Sequence, residues 1–245
     1  MYDEFAEDFS NKRWKPWDAF VNFVQTIKNT DLVQRSINKG ICCDLGTGNG
    51  RHLPVLTEFW NKYIGTDISY QLLRIARDRK DVHKIHNWVA CDVNLLPFRD
   101  KSLQIIVSVA VFHHILYKYQ LRNVMRKITK IIAPDGIMIL SLWGAYKGKN
   151  ENVLKRTNYH RRISHKTIVD SCSAHERFQL GENNVLVPWT VITKSNRIER
   201  KPRIYHLYSF NELKIFEEFF HVIQLNVQNM GKNAGINYFL LMSLK

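Results

Sequence analysis

The chain has 245 residues, of which 45% are apolar and 24% charged, enough for one sizeable core and too apolar for wholesale disorder. No apolar run reaches the ~18–20 residues of a bilayer span, and the acidic start Met1-Tyr2-Asp3-Glu4 lacks a signal peptide's basic and apolar regions. The expectation is one cytoplasmic domain over residues 1–245, with no membrane contact. A net charge of +14 asks for an acidic partner, and residues 144–206 alone carry 13 Lys/Arg against 5 Asp/Glu, a local surplus that suits a polyanion.

Residues 1–30 read as helical: Trp17, Phe20, Val21, Val24 and Ile27 fall at helical spacing, and Pro16 suits a first turn. Ile41–Leu45 is a short buried strand stopped by Gly46, Gly48 and Gly50. A helix over Val55–Trp60 leads to a second strand, Tyr63–Asp67, and Ser69 N-caps a helix over Gln71–Arg79. Trp88–Asp92 makes a third strand and Leu103–Val111 a fourth. The amphipathic stretch Gln120–Ile132 stops before the turn Pro134-Asp135-Gly136, which feeds the apolar strand Ile137–Trp143. Strands alternating with helices predict a parallel sheet covered on both faces. Residues 144–203 are polar, basic and without clear periodicity, which reads as an inserted functional segment or a partly disordered one. Regular structure returns with a helix over Asn211–Phe220 and strands over Val222–Val227 and Tyr238–Leu244. Cys42, Cys43, Cys91 and Cys172 have no C-x-x-C spacing, which argues against a disulfide framework or a metal site.

The chemistry concentrates in Asp44-Leu45-Gly46-Thr47-Gly48-Asn49-Gly50, between a strand and a helix. Gly46 permits a sharp turn, and Gly48 removes a side chain where a ligand approaches the backbone. A dinucleotide fingerprint needs glycine at position 51, which is arginine, and a phosphate-binding P-loop needs Gly-Lys-Ser/Thr, which is absent. What remains is a loop for an adenosine with a cationic amino-acid tail. Asp67, at the end of the second strand, can take both ribose hydroxyls. Asp92, ending the third, can accept from the adenine amino group, and Asp44 can face the ammonium directly or through water. Either of Asp67 and Asp92 alone could be a helix cap. Three acids at three successive strand ends beside a glycine loop have no comparable bland explanation.

From this loop through Ile131-Ile132-Ala133-Pro134-Asp135-Gly136 the sequence resembles the class I S-adenosylmethionine-dependent methyltransferases. That resemblance implies a Rossmann-like α/β fold with a seven-stranded sheet in the order 3-2-1-4-5-7-6, helices on both faces and a basic substrate-binding insertion (144–206) after strand 5. It implies S-adenosyl-L-methionine as cofactor, held by Asp44, Gly46, Gly48, Gly50, Asp67, Asp92, Val93 and Ser108. Four flanking segments narrow the resemblance: Tyr2–Ser10 with Arg13-Trp14-Lys15-Pro16-Trp17, Ser108–His114, Asn184–Trp189 and Arg203–Tyr208. Together they resemble the tRNA wobble-uridine methyltransferases that esterify 5-carboxymethyluridine. This implies the tRNA anticodon loop as substrate and a small zinc-binding activator subunit as partner. It places Arg13 and His113, then Tyr205 and His206, at the acceptor end of the cofactor, and leaves His114 structural. Of Trp14, Trp17 and Trp189, at least two read as core. The family's Arg-Arg pair after the two histidines is replaced by Gln120-Leu121, and its Gln-Asp before Val-Leu-Val-Pro-Trp by Asn183-Asn184. A small-molecule methyltransferase with the same core and a non-catalytic cofactor-binding scaffold stay open as alternatives.

Overall fold

The computed structural model describes residues 2–37, 39–79, 87–145, 183–192, 198–229 and 235–245. Most of the basic segment 144–206, with Arg161, Arg162 and Cys172, lies outside the described residues.

Five parallel strands form the centre of the sheet: β1 (Ile41–Leu45), β2 (Lys62–Asp67), β3 (Asn87–Ala90), β4 (Leu103–Val109) and β5 (Ile132–Gly144). A separate antiparallel hairpin follows, β6 (Asn184–Ile192) and β7 (Ile198–His206), before β8 (Phe220–Asn229) and β9 (Ile236–Leu244) return to the main sheet. The seven strands run β3-β2-β1-β4-β5-β9-β8, with β9 antiparallel to both neighbours. This is the expected order once the hairpin is set aside.

The central strands are buried on both faces, so neighbouring residues serve two cores. Cys43, Ile106, Met138 and Leu140 face one layer, which α6 (Lys118–Ile131) covers with Leu121, Val124, Met125 and Ile128. Cys42, Ile105, Val107, Ile137 and Ile139 face the other, covered by Phe20, Phe23, Val24 and Ile27 of α2 (Asp18–Ile27) and by α4 (Leu53–Thr57). Each wholly buried leucine or isoleucine contributes about 1.5–3 kcal/mol. α3 (Asp31–Ser36) and α5 (Tyr70–Arg77) complete the layers. Ser69 caps α5 as expected, its Oγ accepting from the Leu72 amide at 3.2 Å.

Several boundaries differ from expectation for local reasons. The N-terminal region is broken into a 3-10 turn (Tyr2–Phe5), α1 (Ala6–Lys12) and α2, with Pro16 in the break. β4 ends at Val109 because Ala110 takes φ +57° and turns the chain. The helix expected over Asn211–Phe220 is a 3-10 turn (Phe210–Leu213), fixed by the Ser209/Glu212 capping box, and one turn of α7 (Lys214–Glu217). The largest correction is the hairpin itself, whose β-pattern is broken by proline. Pro188 stands opposite Pro202, so neither strand offers an amide there, which a two-stranded ribbon tolerates and a central strand does not.

Candidate active site

The C-terminal ends of β1, β2 and β4 open into a cavity of about 870 Å³, within the usual range for ligand sites. After β1 the chain turns through Gly46 at φ +71° and Gly48 at φ +59°. A Cβ on Gly46 would lie 2.4 Å from Val111 Cγ2, so no other residue fits; in front of Gly48 the nearest atom is a Phe9 ring carbon 3.9 Å away, so the backbone faces open cavity. Asp67 crosslinks this loop to the start of α5: Oδ2 accepts from the Gly48 amide and Oδ1 from the Ser69 amide, both at 2.8 Å. Burial raises its pKa while those amides pull it down. Each oxygen keeps a lone pair for a ligand hydroxyl. Asp92 also lines the cavity, and it is a cap as well: Oδ1 accepts from the amide and the side chain of Asn94 at 2.8 Å.

Gly46, Gly48, Asp67, Asp92 and Val93 therefore share one wall of the cavity, while Asp44, Gly50 and Ser108 do not reach it. Asp44 sits behind the loop, where its Oδ2 accepts from the Tyr63 hydroxyl at 2.9 Å and burial pushes its pKa to about 6. Asp44 therefore has no direct contact with the cavity, and of the two expected routes to a ligand ammonium only the one through water remains open. Gly50 is enclosed by Ala76, and the wholly buried Ser108 spends its hydroxyl on the Leu45 carbonyl.

The opposite wall comes from the N-terminal segment, the β4 exit and the hairpin. Trp189 of β6 is pressed between these parts, its Nε1 donating to Asp8 Oδ2 at 2.7 Å and its ring 5.8 Å from Phe5 and 5.5 Å from Phe9. Arg203 of β7 lies across it, with its guanidinium 4.7 Å from the Trp189 ring and 5.1 Å from that of Tyr205. Only 6% of Arg203 is exposed, its Nη1 donates to the Tyr2 hydroxyl at 3.4 Å, and its buried Nε has no partner. No carboxylate among the described residues pairs with it. Tyr205 shares a hydrogen bond of 3.1 Å with Tyr2, and its ring sits 4.5 Å from that of His113.

His113 is 2% exposed and its Nδ1 has no partner. Burial, aided by His114, Arg203 and His206, drives its pKa well below the usual imidazole range, so it is neutral. His114 lines the cavity too, with its Nε2 3.3 Å from the Tyr2 hydroxyl and its pKa pushed by burial, then by Arg203, to about 4. Arg13 is exposed at the cavity mouth, 5.6 Å from the Trp189 ring, and its carbonyl accepts from Asn49 Nδ2 at 3.1 Å. Behind it Arg51 also lines the cavity; burial, then the nearby Arg13, hold its pKa down to about 10.

Of the expected acceptor-side residues, Arg13, His113 and Tyr205 line the cavity and His206 does not. The buried ring of His206 lies on the other face of β7, with Nδ1 3.0 Å from Asn184 Oδ1 and Nε2 3.3 Å from Glu212 Oε1. Alternation along a strand explains this correction: residues 203 and 205 share a face, and 206 must point away. The same rule identifies Arg203, which sequence reasoning quoted but did not select. Tyr2, Asn49 and Arg51 were also missed.

Residues 43–140 match the family model described as "Methyltransferase domain". Over its full length the chain superposes on an S-adenosylmethionine-dependent methyltransferase from Clostridium acetobutylicum, with a TM-score of 0.68, 12% identity and coverage of 99% and 98% of the two chains. The fold is that of a class I S-adenosylmethionine-dependent methyltransferase. The cavity wall fits S-adenosyl-L-methionine: open backbone at Gly48, a preset carboxylate at Asp67 and a further acid at Asp92. Among curated relatives, the tRNA (carboxymethyluridine(34)-5-O)-methyltransferase ALKBH8 of Mus musculus is 26% identical over 187 residues, 74% of this chain and 25% of that protein. The tRNA (carboxymethyluridine(34)-5-O)-methyltransferase of Saccharomyces cerevisiae is 27% identical over 195 residues, 80% of this chain and 56% of that protein. This chain resembles that family, and the matches span a quarter to about half of the length of these relatives. A Haloferax volcanii protein solved in complex with the Trm112 methyltransferase activator shares the fold, with a TM-score of 0.55, 14% identity and coverage of 100% and 97%.

Proposed function

We propose that this class I methyltransferase esterifies the carboxylate of 5-carboxymethyluridine at the wobble position of tRNA to 5-methoxycarbonylmethyluridine. The observation that carries this reading is Arg203, a buried guanidinium at the acceptor end of the cavity with no acid partner among the described residues. A buried unpaired cation is costly to the fold, so its retention points to a ligand anion that completes it. The curated relatives, named for this reaction, support a carboxylate as that anion.

When bound, the cofactor supplies an electrophilic methyl group on a sulfonium, held by the Gly46–Gly48 backbone, Asp67 and Asp92. The acceptor carboxylate is ionised at working pH, so no residue has to remove a proton. Arg203, with its planar fork, holds and orients the carboxylate. Arg13 adds a cation at the mouth, and neutral His113 and the Tyr205 hydroxyl line the space around the attacking oxygen. Their shared task is alignment and exclusion of water.

The basic segment 144–206 supplies the charge for the anticodon loop. The activator subunit fits the β3 end of the sheet, where β3 is an edge strand and Leu95 beyond it is 71% exposed; the solved Haloferax complex makes such a partner a natural one for this fold. Leu96 and Phe98, by contrast, pack against the core. The compartment consistent with this role is the cytoplasm. Mass spectrometry of tRNA nucleosides from a strain lacking the chain tests the reading: carboxymethyluridine should accumulate and its methyl ester vanish. An unchanged ester level sinks it and favours a small-molecule acceptor.

A further inference from the structure

Of the six tryptophans in the chain, Trp60 and Trp189 are buried and Trp17, Trp88 and Trp143 half-buried, but Trp14 is 60% exposed. This is not the exposure of a loose terminus. The Arg13 carbonyl accepts from Asn49 Nδ2 at 3.1 Å and the Trp14 carbonyl from Arg79 Nη1 at 3.4 Å, so the backbone on either side of the ring is tied to the glycine loop and to the end of α5. These bonds fix the backbone that carries the ring, and the ring itself is exposed. Among the described residues no aromatic ring stacks on it, and the cation over its ring is Lys15, with Nζ 4.8 Å from the ring centroid.

The surroundings are cationic. Lys12 and Arg13 line the cavity mouth immediately before Trp14, Arg79 donates to the Trp14 carbonyl, and Arg51 lines the cavity beside Arg13. Asp8, on the same wall, is already committed to Lys12 at 2.8 Å and to Trp189 Nε1 at 2.7 Å. A pinned aromatic face among cations, beside the opening through which an acceptor must enter, is the arrangement that binds single-stranded nucleic acid. Charged residues are depleted at the centre of protein interfaces, which argues against a protein partner on this face.

We infer that Trp14 is a stacking platform for a nucleobase of the anticodon loop next to the one being methylated, with the cations around it taking the adjoining phosphates. The inference rests on the tRNA reading above but concerns a surface outside the cofactor and acceptor sites. A base splayed onto Trp14 would hold its neighbour extruded, which a base must be to enter a buried cavity.

The test uses the full chain and a synthetic anticodon stem-loop RNA carrying carboxymethyluridine at the wobble position and 2-aminopurine beside it. Trp14→Ala should weaken RNA binding about 5- to 150-fold, the range for losing one base–aromatic stack, and Trp14→Phe should recover most of it. The slope of log affinity against log salt should stay at the wild-type value, because no phosphate contact is removed. Cofactor affinity should not change. Quenching of the 2-aminopurine on binding should be present in wild type and lost in Trp14→Ala. Wild-type RNA affinity in Trp14→Ala overturns the inference, as does a parallel loss of cofactor affinity or a loss confined to binding of an activator subunit. RNA binding that depends on Trp14 without carboxyl methylation would uphold the platform and refute the wobble-esterification reading. Efficient methylation with no effect of Trp14→Ala would do the reverse.

Discussion

Replacing Arg203 by methionine separates its two roles, because the change keeps most of the side-chain volume over Trp189 and Tyr205 and removes the charge. In the free protein Arg203 is almost wholly buried, and among the described residues no carboxylate pairs with it. Desolvation of such an ion costs several kcal/mol, against which the two ring contacts return about 0.5–2 kcal/mol each. The variant should therefore melt at or above the wild-type temperature, about 2–4 °C higher for each kcal/mol gained. Function should move the other way. A guanidinium and a carboxylate about 4 Å apart attract by about 4 kcal/mol at an effective dielectric near 20. Loss of that term lowers kcat/KM by roughly 10³-fold. Arg203→Lys keeps the charge without the planar fork and should fall between the two. The assay is transfer of a radiolabelled methyl group to a carboxymethyluridine stem-loop, with a thermal melt on the same samples. A methionine variant within about 5-fold of wild-type kcat/KM refutes the reasoning. So does one that loses activity and melts well below wild type, since Arg203 would then be a structural cation.

Asp67→Ala should weaken S-adenosylmethionine binding by about 1.5–3 kcal/mol in calorimetry, because a carboxylate already aligned by the Gly48 and Ser69 amides is lost; unchanged affinity in a folded variant removes Asp67 from the site. Asp44→Asn tests the buried acid through pH. With its pKa raised by burial from 3.8 to about 6, the native state binds the proton more tightly than the unfolded chain, so Asp44 lowers stability as pH climbs through that window. The stability of Asp44→Asn relative to wild type should rise by about 3 kcal/mol between pH 4 and pH 6 and level off above; a pH-independent difference would show that Asp44 is not held in this state. His113 is kept neutral by burial, so the rate should be flat from pH 6 to pH 8. An inflection near pH 7 that disappears in His113→Asn would make it a general base and overturn the positioning role.

The cofactor wall was legible because it is local. Gly46 must be glycine for reasons of φ and space and Gly48 for its positive φ, and Asp67 at the end of β2 and Asp92 just beyond β3 stand where periodicity locates them. Even here the pattern misplaced Asp44: a strand-end acid can point past the loop, and the Tyr63 hydroxyl that captures it lies on the neighbouring strand. The hairpin was hidden by Pro188 and Pro202, which read as loop residues until the two strands are seen facing each other. The acceptor wall was the least legible part, because Tyr2 assembles it across great sequence distances. Its hydroxyl meets His114, Arg203 and Tyr205, and no window on the chain contains those four together.

That assembly constrains the acceptor more tightly than the fold does, since the same sheet serves many acceptors. An amine that is protonated in solution would enter against Arg203, Arg13 and Arg51 and be repelled. A hydroxyl would need a base, and His113, with its basicity suppressed by burial and by the neighbouring His114 and Arg203, is a poor one. A carboxylate arrives with its charge already developed and meets a buried guanidinium whose Nε has no partner among the described residues. Its attacking oxygen loses charge as the ester forms, so a clamp that neutralised both oxygens fully would slow the reaction it positions. Arg203, stacked on Trp189 and Tyr205 and donating to Tyr2, is anchored on one side and open on the other. It can hold the carboxylate while leaving one oxygen aimed along the cavity toward the Gly46–Gly48 wall.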